Sequence, residues 1–241
     1  MTENKKLIKL IFMAMMIAIG VVISPILRVE GMCPMAHLIN VTCAVFIGPF
    51  PSLVCATLIG IIRMIFMGIP PLALTGAIFG AFFSGLFYRL SKGKILFAVL
   101  GEIFGTGIIG AIISYPVMTY IWGRDGLTWF FYVPSFVAGT LIGGSIAFIL
   151  LKQLNKMGQL NKIQGLLGSK VYECANDVTK DALAIAFTAP IAYLAVLVIE
   201  NNLIYGSSPF IPYIKVITAA AILVFAFVYY IVKTAKNKAA A

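Results

Sequence analysis

The feature that most constrains this chain is its succession of long apolar stretches, separated only by short polar or proline-containing joints. One of them, GEIFGTGIIGAIISYP at residues 101–116, carries a single carboxylate, Glu102. A helix of about 18 or more apolar residues is long enough to cross a bilayer. With 61% hydrophobic and 11% charged residues in 241, a water-soluble domain would lack the polar surface to cover itself. The mean hydropathy of +1.04 agrees. The period-two alternation of a membrane barrel is absent. The expected fold class is therefore an all-α integral membrane protein.

Eight spans are expected, at residues 7–27, 37–48, 52–67, 76–90, 95–121, 127–154, 182–199 and 211–232. Residues 1–155 form one six-helix core, residues 156–181 a polar cytoplasmic linker, and residues 182–241 two additional spans with a basic tail. Lys5, Lys6 and Lys9 precede the first span, Arg89, Lys92 and Lys94 follow the fourth, and Lys152 and Lys156 close the sixth. Short basic loops face the cytoplasm, so both termini are expected there, in a multi-pass protein of the cell membrane. The net charge of +10 then reports topology, and no nucleic acid is expected as a partner. The first apolar run lacks an A-x-A cleavage site and is read as a retained helix.

Small residues recur one helical turn apart, at Ala14 and Ala18, at Gly76, Gly80 and Ser84, at Gly101 and Gly105, and at Gly139, Gly143 and Ala147. In lipid such stripes let helix backbones approach closely. For Ala14 and Ala18 two readings stand: tight packing within the bundle, or a flat face for a second membrane subunit. Polar groups are few. His37 and Asn40 lie one turn apart and share a helix face. Arg63 lies well inside an apolar run, either snorkelling outward or facing a watery pocket. Glu102 is expected about 10 Å from the cytoplasmic end of its helix, too deep for an unstretched pair with Arg63. Residues 68–75, GIPPLALT, form a short proline-rich joint suited to fold over a site. Pro116 is expected to bend the fifth span. Trp129, Phe130, Phe131 and Tyr132 read either as an interfacial belt or as a stacking wall for a flat ligand.

The chemistry of an enzyme is not evident. There is no G-x-x-x-x-G-K-[ST] loop, H-E-x-x-H or G-x-S-x-G. Four cysteines without a C-x-x-C pair give neither a disulfide framework nor a zinc site. No cofactor or metal is expected. Gly105-x-Gly107-x-x-Gly110 mimics a dinucleotide fingerprint, but no strand precedes it. No internal repeat argues for an inverted-repeat transporter. Dispersed polar groups on several helices suit binding of a small solute better than catalysis. A stand-alone permease and a membrane enzyme acting on lipid are the competing classes.

The first helix with Ala14-x-x-x-Ala18 resembles the coupling face of the substrate-binding (S) components of energy-coupling factor (ECF) transporters. HLINV with Gly48-Pro49, the IGIIR run ending in Arg63, TGAIFGAFFSGLFYRL and GEIFGTGIIGAIISYPV resemble the thiazole-specific S component, the ThiW family, over roughly residues 7–155. The resemblance implies a six-helix bundle that takes up hydroxyethylthiazole, a thiamin precursor. It also implies as partners a transmembrane scaffold subunit and two ATPase subunits. By the same resemblance the ligand sits in the outer half, under the loops after the first and third helices. The implied ligand residues are then His37, Asn40, Arg63, Thr75, Tyr115 and Tyr132, with Glu102 either a ligand or a packing and gating group. Ala14 and Ala18 are the implied contact with the scaffold subunit. The two additional C-terminal spans depart from the six-span pattern of such components.

Overall fold

The computed structural model describes residues 3–28, 32–172 and 211–239, with scattered positions between 178 and 193. It is all-helical, with no strand among the described residues. Two units are distinguished, Met1–Cys174 and Ala175–Ala241.

In the first unit the helices are α1 (Glu3–Ile23), α2 (Pro34–Ile47), α3 (Pro49–Met67), α4 (Leu72–Leu90), α5 (Ile95–Ile121), α6 (Val133–Lys156) and α7 (Gln159–Leu166). The second unit contributes α8 (Ile211–Ala239). Among the described residues, six helices are long and apolar enough to cross a membrane: α1, α3, α4, α5, α6 and Tyr213–Ala235 within α8. Helix α2 is shorter, at 14 residues, and almost wholly buried. The seventh expected span, residues 182–199, lies mostly outside the described residues.

Several boundaries differ from expectation for local reasons. Helix α2 starts at Pro34, not at His37, because proline has no N–H to leave unpaired in a first turn. It ends at Gly48, whose φ of +84° suits glycine and reverses the chain directly into Pro49 of α3. Helix α6 starts at Val133, with Pro134 in its first turn, so residues 127–132 are turns and not helix. The linker is not wholly extended: it contains α7, and Gln164 of α7 is fully buried. Gln164 Nε2 donates to the Val45 carbonyl at 2.9 Å and to Tyr88 Oη at 3.0 Å, fastening α7 to the ends of α2 and α4.

The small-residue stripes of α4 and α5 are two faces of one antiparallel contact. A methyl group added at Gly101 would lie 2.8 Å from Ser84 Cα, one at Gly105 2.8 Å from Gly80 Cα, and one at Gly110 3.0 Å from Gly76 Cα. On α4 these partners are spaced evenly by four residues. On α5 the second interval is five. The extra residue is absorbed because α5 is π-helical over Ile103–Gly110, with each turn one residue wider. The widened turn keeps the two stripes in register. A second π-helical stretch, Val117–Ile121, follows Pro116, whose missing N–H already interrupts the α-helical ladder. On α6, Gly139, Gly143 and Ala147 are buried, and a methyl at Gly143 would lie 2.9 Å from His37 Cβ.

One end of this unit is basic. Lys9 Nζ donates to the last carbonyl of α2, Ile47, at 3.3 Å, and the Arg89 guanidinium lies against Gly48. The opposite end holds the joints after α1 and α3.

Candidate functional site

Glu102 is the natural place to start, because a fully buried carboxylate in an apolar bundle must find donors. The π-helical turn begins one residue later, at Ile103. Glu102 Oε1 accepts from three side chains. Asn40 Nδ2 stands 3.0 Å away, Thr106 Oγ1 3.1 Å, and His37 Nδ1 2.8 Å. A carboxylate can only accept, so Nδ1 is the protonated ring nitrogen of His37. Glu102 Oε2 is buried with no hydrogen-bond partner. Asn40 also donates to the Ala77 carbonyl at 3.2 Å, and the one Thr106 hydroxyl proton is shared between Glu102 Oε1 and the Gly76 carbonyl, 2.9 Å away. Three helices, α2, α4 and α5, are therefore tied at one level. Gly80 makes this possible: a methyl there would collide with Thr106 Oγ1 and lie 2.7 Å from Glu102 Oε1.

Beside this network lies a cavity of about 70 Å³, several times the space one water needs. His37, Thr106 and Gly76 form part of its wall, and Phe136 of α6 contributes an aromatic face. Ile69 and Pro70 from the joint after α3 and Ala73 from the first turn of α4 line it, as do Arg28, Met32 and Cys33 from the joint after α1. Arg63 completes the lining, and only 3% of its surface is exposed. Its Nη2 stands 3.4 Å from Cys33 Sγ, a weak acceptor, and its Nε has no partner. Cys33 in turn donates to the Ser24 carbonyl at 2.9 Å.

Of the residues singled out from sequence, the structure brings His37, Asn40 and Glu102 into direct contact and sets Arg63 at the same cavity as His37. The ion-pair partner of Glu102 is His37, and Arg63 forms no salt bridge to it among the described residues. Thr75, Tyr115 and Tyr132 are not among the cavity's lining residues. Thr75 Oγ1 is 2.6 Å from Ser114 Oγ, a link between α4 and α5. Tyr115 packs on Trp129 with ring centroids 4.6 Å apart. Tyr132 is buried against Phe136, 5.8 Å between centroids, one layer behind the lining. The aromatic run thus divides: Trp129, Phe130 and Phe131 are exposed, whereas Tyr132 is core. Ala14 and Ala18 are exposed on α1.

The sequence-family comparison bears on this same segment. A model of the thiamine-precursor transporter protein (ThiW) family matches residues 10–157. This chain belongs to that family. The ThiW match runs from α1 to the end of α6, so it includes the cavity and the Glu102 network, and it stops before α7 and α8. No curated protein and no solved structure matches the chain. Membership of ThiW, with six long apolar helices, makes this a multi-pass membrane protein of a transporter family. Thr106, Cys33 and Arg28 were not anticipated from sequence. Thr106 had a legible signal, since it follows Glu102 by four residues, one helical turn on the same face.

Proposed function

We propose that this chain is the substrate-binding membrane subunit of an ECF-type uptake transporter, importing the thiamin precursor hydroxyethylthiazole. The observation that carries the reading is the cavity beneath the two joints, where the His37–Glu102 pair and the buried Arg63 put polar groups beside the Phe136 ring. A small polar heterocycle needs that combination: an apolar wall and a few fixed donors. His37 Nε2 has no hydrogen-bond partner among the described residues and is left for the ligand. Glu102 and Asn40 hold His37 in place from behind.

Ala14 and Ala18 are the proposed contact with the scaffold subunit, whose two ATPase partners supply the energy. Their exposure on an apolar helix supports this. The basic end near Lys9 and Arg89 is the proposed cytoplasmic end, with both termini on that side. The cavity then opens outward, across the cell membrane.

Calorimetric titration of the purified chain with hydroxyethylthiazole tests the ligand. Saturable binding, lost in His37→Ala, is expected; no heat from wild type at any concentration removes the thiazole assignment. Uptake into liposomes holding the chain alone, without ATP, would instead favour a stand-alone permease. The expected result is uptake only when the scaffold and ATPase subunits are supplied.

A further inference from the structure

Arg63 is a cation placed where a cation is hardest to keep. It is 3% exposed, within a membrane-spanning helix, and among the described residues its polar contact is a cysteine sulfur at 3.4 Å. Its Nε is buried and unpaired. Among the described residues the carboxylate beside this cavity, Glu102, is already taken by His37, Asn40 and Thr106. The cavity lining, among the described residues, contains Arg28, Arg63 and His37 and no acidic side chain. A desolvated guanidinium without a counter-charge is costly, and its planar fork of N–H donors matches the oxygens of a carboxylate or phosphate.

We infer that the occupied cavity holds an anionic group against Arg63, with a phosphate or carboxylate as its chemistry. The inference builds on the proposed reading of this cavity as the ligand site and specifies the charge of what enters it. Two sources supply such a group: a phosphate monoester on the thiazole ligand itself, or a small inorganic anion bound beside a neutral thiazole. Tenfold or greater preference is the scale set by a charge-assisted hydrogen bond.

The full chain, purified in detergent and free of added anions, is titrated with three probes: hydroxyethylthiazole, its phosphate ester, and inorganic phosphate. Expected is binding of the ester about tenfold or more tighter than the alcohol, a preference removed by Arg63→Gln and partly kept by Arg63→Lys. Alcohol binding that requires inorganic phosphate, through Arg63, supports the inference with the free anion as source. Equal binding of alcohol and ester, indifferent to phosphate and to Arg63→Gln, overturns it and leaves the thiazole reading standing. If neither thiazole compound binds, the thiazole reading fails separately, and thermal stabilisation by inorganic phosphate decides. Stabilisation that depends on Arg63 supports the anion site; none overturns it. Glu30, on the joint after α1, lies outside the described residues. Phosphate binding that appears only in Glu30→Gln identifies that carboxylate as the native partner of Arg63 and overturns the inference.

Discussion

The contact between α4 and α5 and the outer face of α1 carry the same sequence device and put it to different use. In α4 and α5 the small residues meet one another: Gly101, Gly105 and Gly110 close against Ser84, Gly80 and Gly76 until no methyl group fits. In α1 the equivalent pair, Ala14 and Ala18, is exposed. Spacing alone does not separate the two cases. What separates them is the polar residue beside the stripe. Glu102 follows Gly101 directly, and its need for donors draws α2 and α4 inward. Around Ala14 and Ala18 there are only apolar side chains, Leu, Met, Ile and Val among them, which any apolar surface satisfies.

This contrast can be broken in graded steps. Removing the acid should cost most. Glu102→Ala strands His37 Nδ1 without its acceptor and leaves Asn40 and Thr106 only the Ala77 and Gly76 carbonyls, and a loss of about 3–5 kcal/mol is expected. Unfolding in mixed detergent micelles measures it, and Glu102→Gln, which keeps an oxygen, should lose clearly less. Next comes Gly101→Leu, which drives a side chain into the α4 backbone. A loss of about 3 kcal/mol is expected, seen as a lowered thermal midpoint. Gly80→Ala should lose about 1–2 kcal/mol, because the Thr106 and Glu102 side chains it strikes have some room to turn. A neutral result there would mean that α4 does not pass as close to Glu102 as described. Smallest in stability are Ala14→Trp and Ala18→Trp, expected within about 0.5 kcal/mol of wild type. These two should leave ligand binding intact while abolishing ATP-driven uptake. A stability loss as large as that of Gly80→Ala would place the alanine face inside the fold.

Much of the architecture was legible in the sequence, since hydropathy fixes the spans and glycine spacing marks the close contacts. The register was not. Gly110 falls off the four-residue series that begins at Gly101, and only the π-helical turn of α5 returns it to the α4 contact. That turn has no hydropathy signature. The His37–Glu102 pair was hidden for another reason: the depth of Glu102 follows from regular helical rise over Ile95–Glu102, but which helix faces it is set by packing that spacing does not reveal. Proline chemistry explains the displaced starts of α2 and α6. Gln164 was missed because it sits in a polar segment. However, Leu160, Gln164 and Leu167 recur at helical spacing, and that periodicity was there to be read. The side chains that the resemblance implied as ligands divided by local packing. Thr75, Tyr115 and Tyr132 found nearer partners in Ser114, Trp129 and Phe136.

The brevity of α2 sets a distance. Its 14 residues rise about 21 Å, against a hydrocarbon layer of about 30 Å. Its last turn lies level with Lys9 and Arg89, so its first turn, with His37, begins about 9 Å short of the other boundary. Chain that is not helical at such depth is tolerated because it borders the cavity and not lipid. If His37 holds the solute as proposed, that solute has completed about a third of the crossing before any helix moves. The stretch that remains is the length of α2 alone. Glu102 stands along it, and Gln164 is bonded to Val45 near its far end.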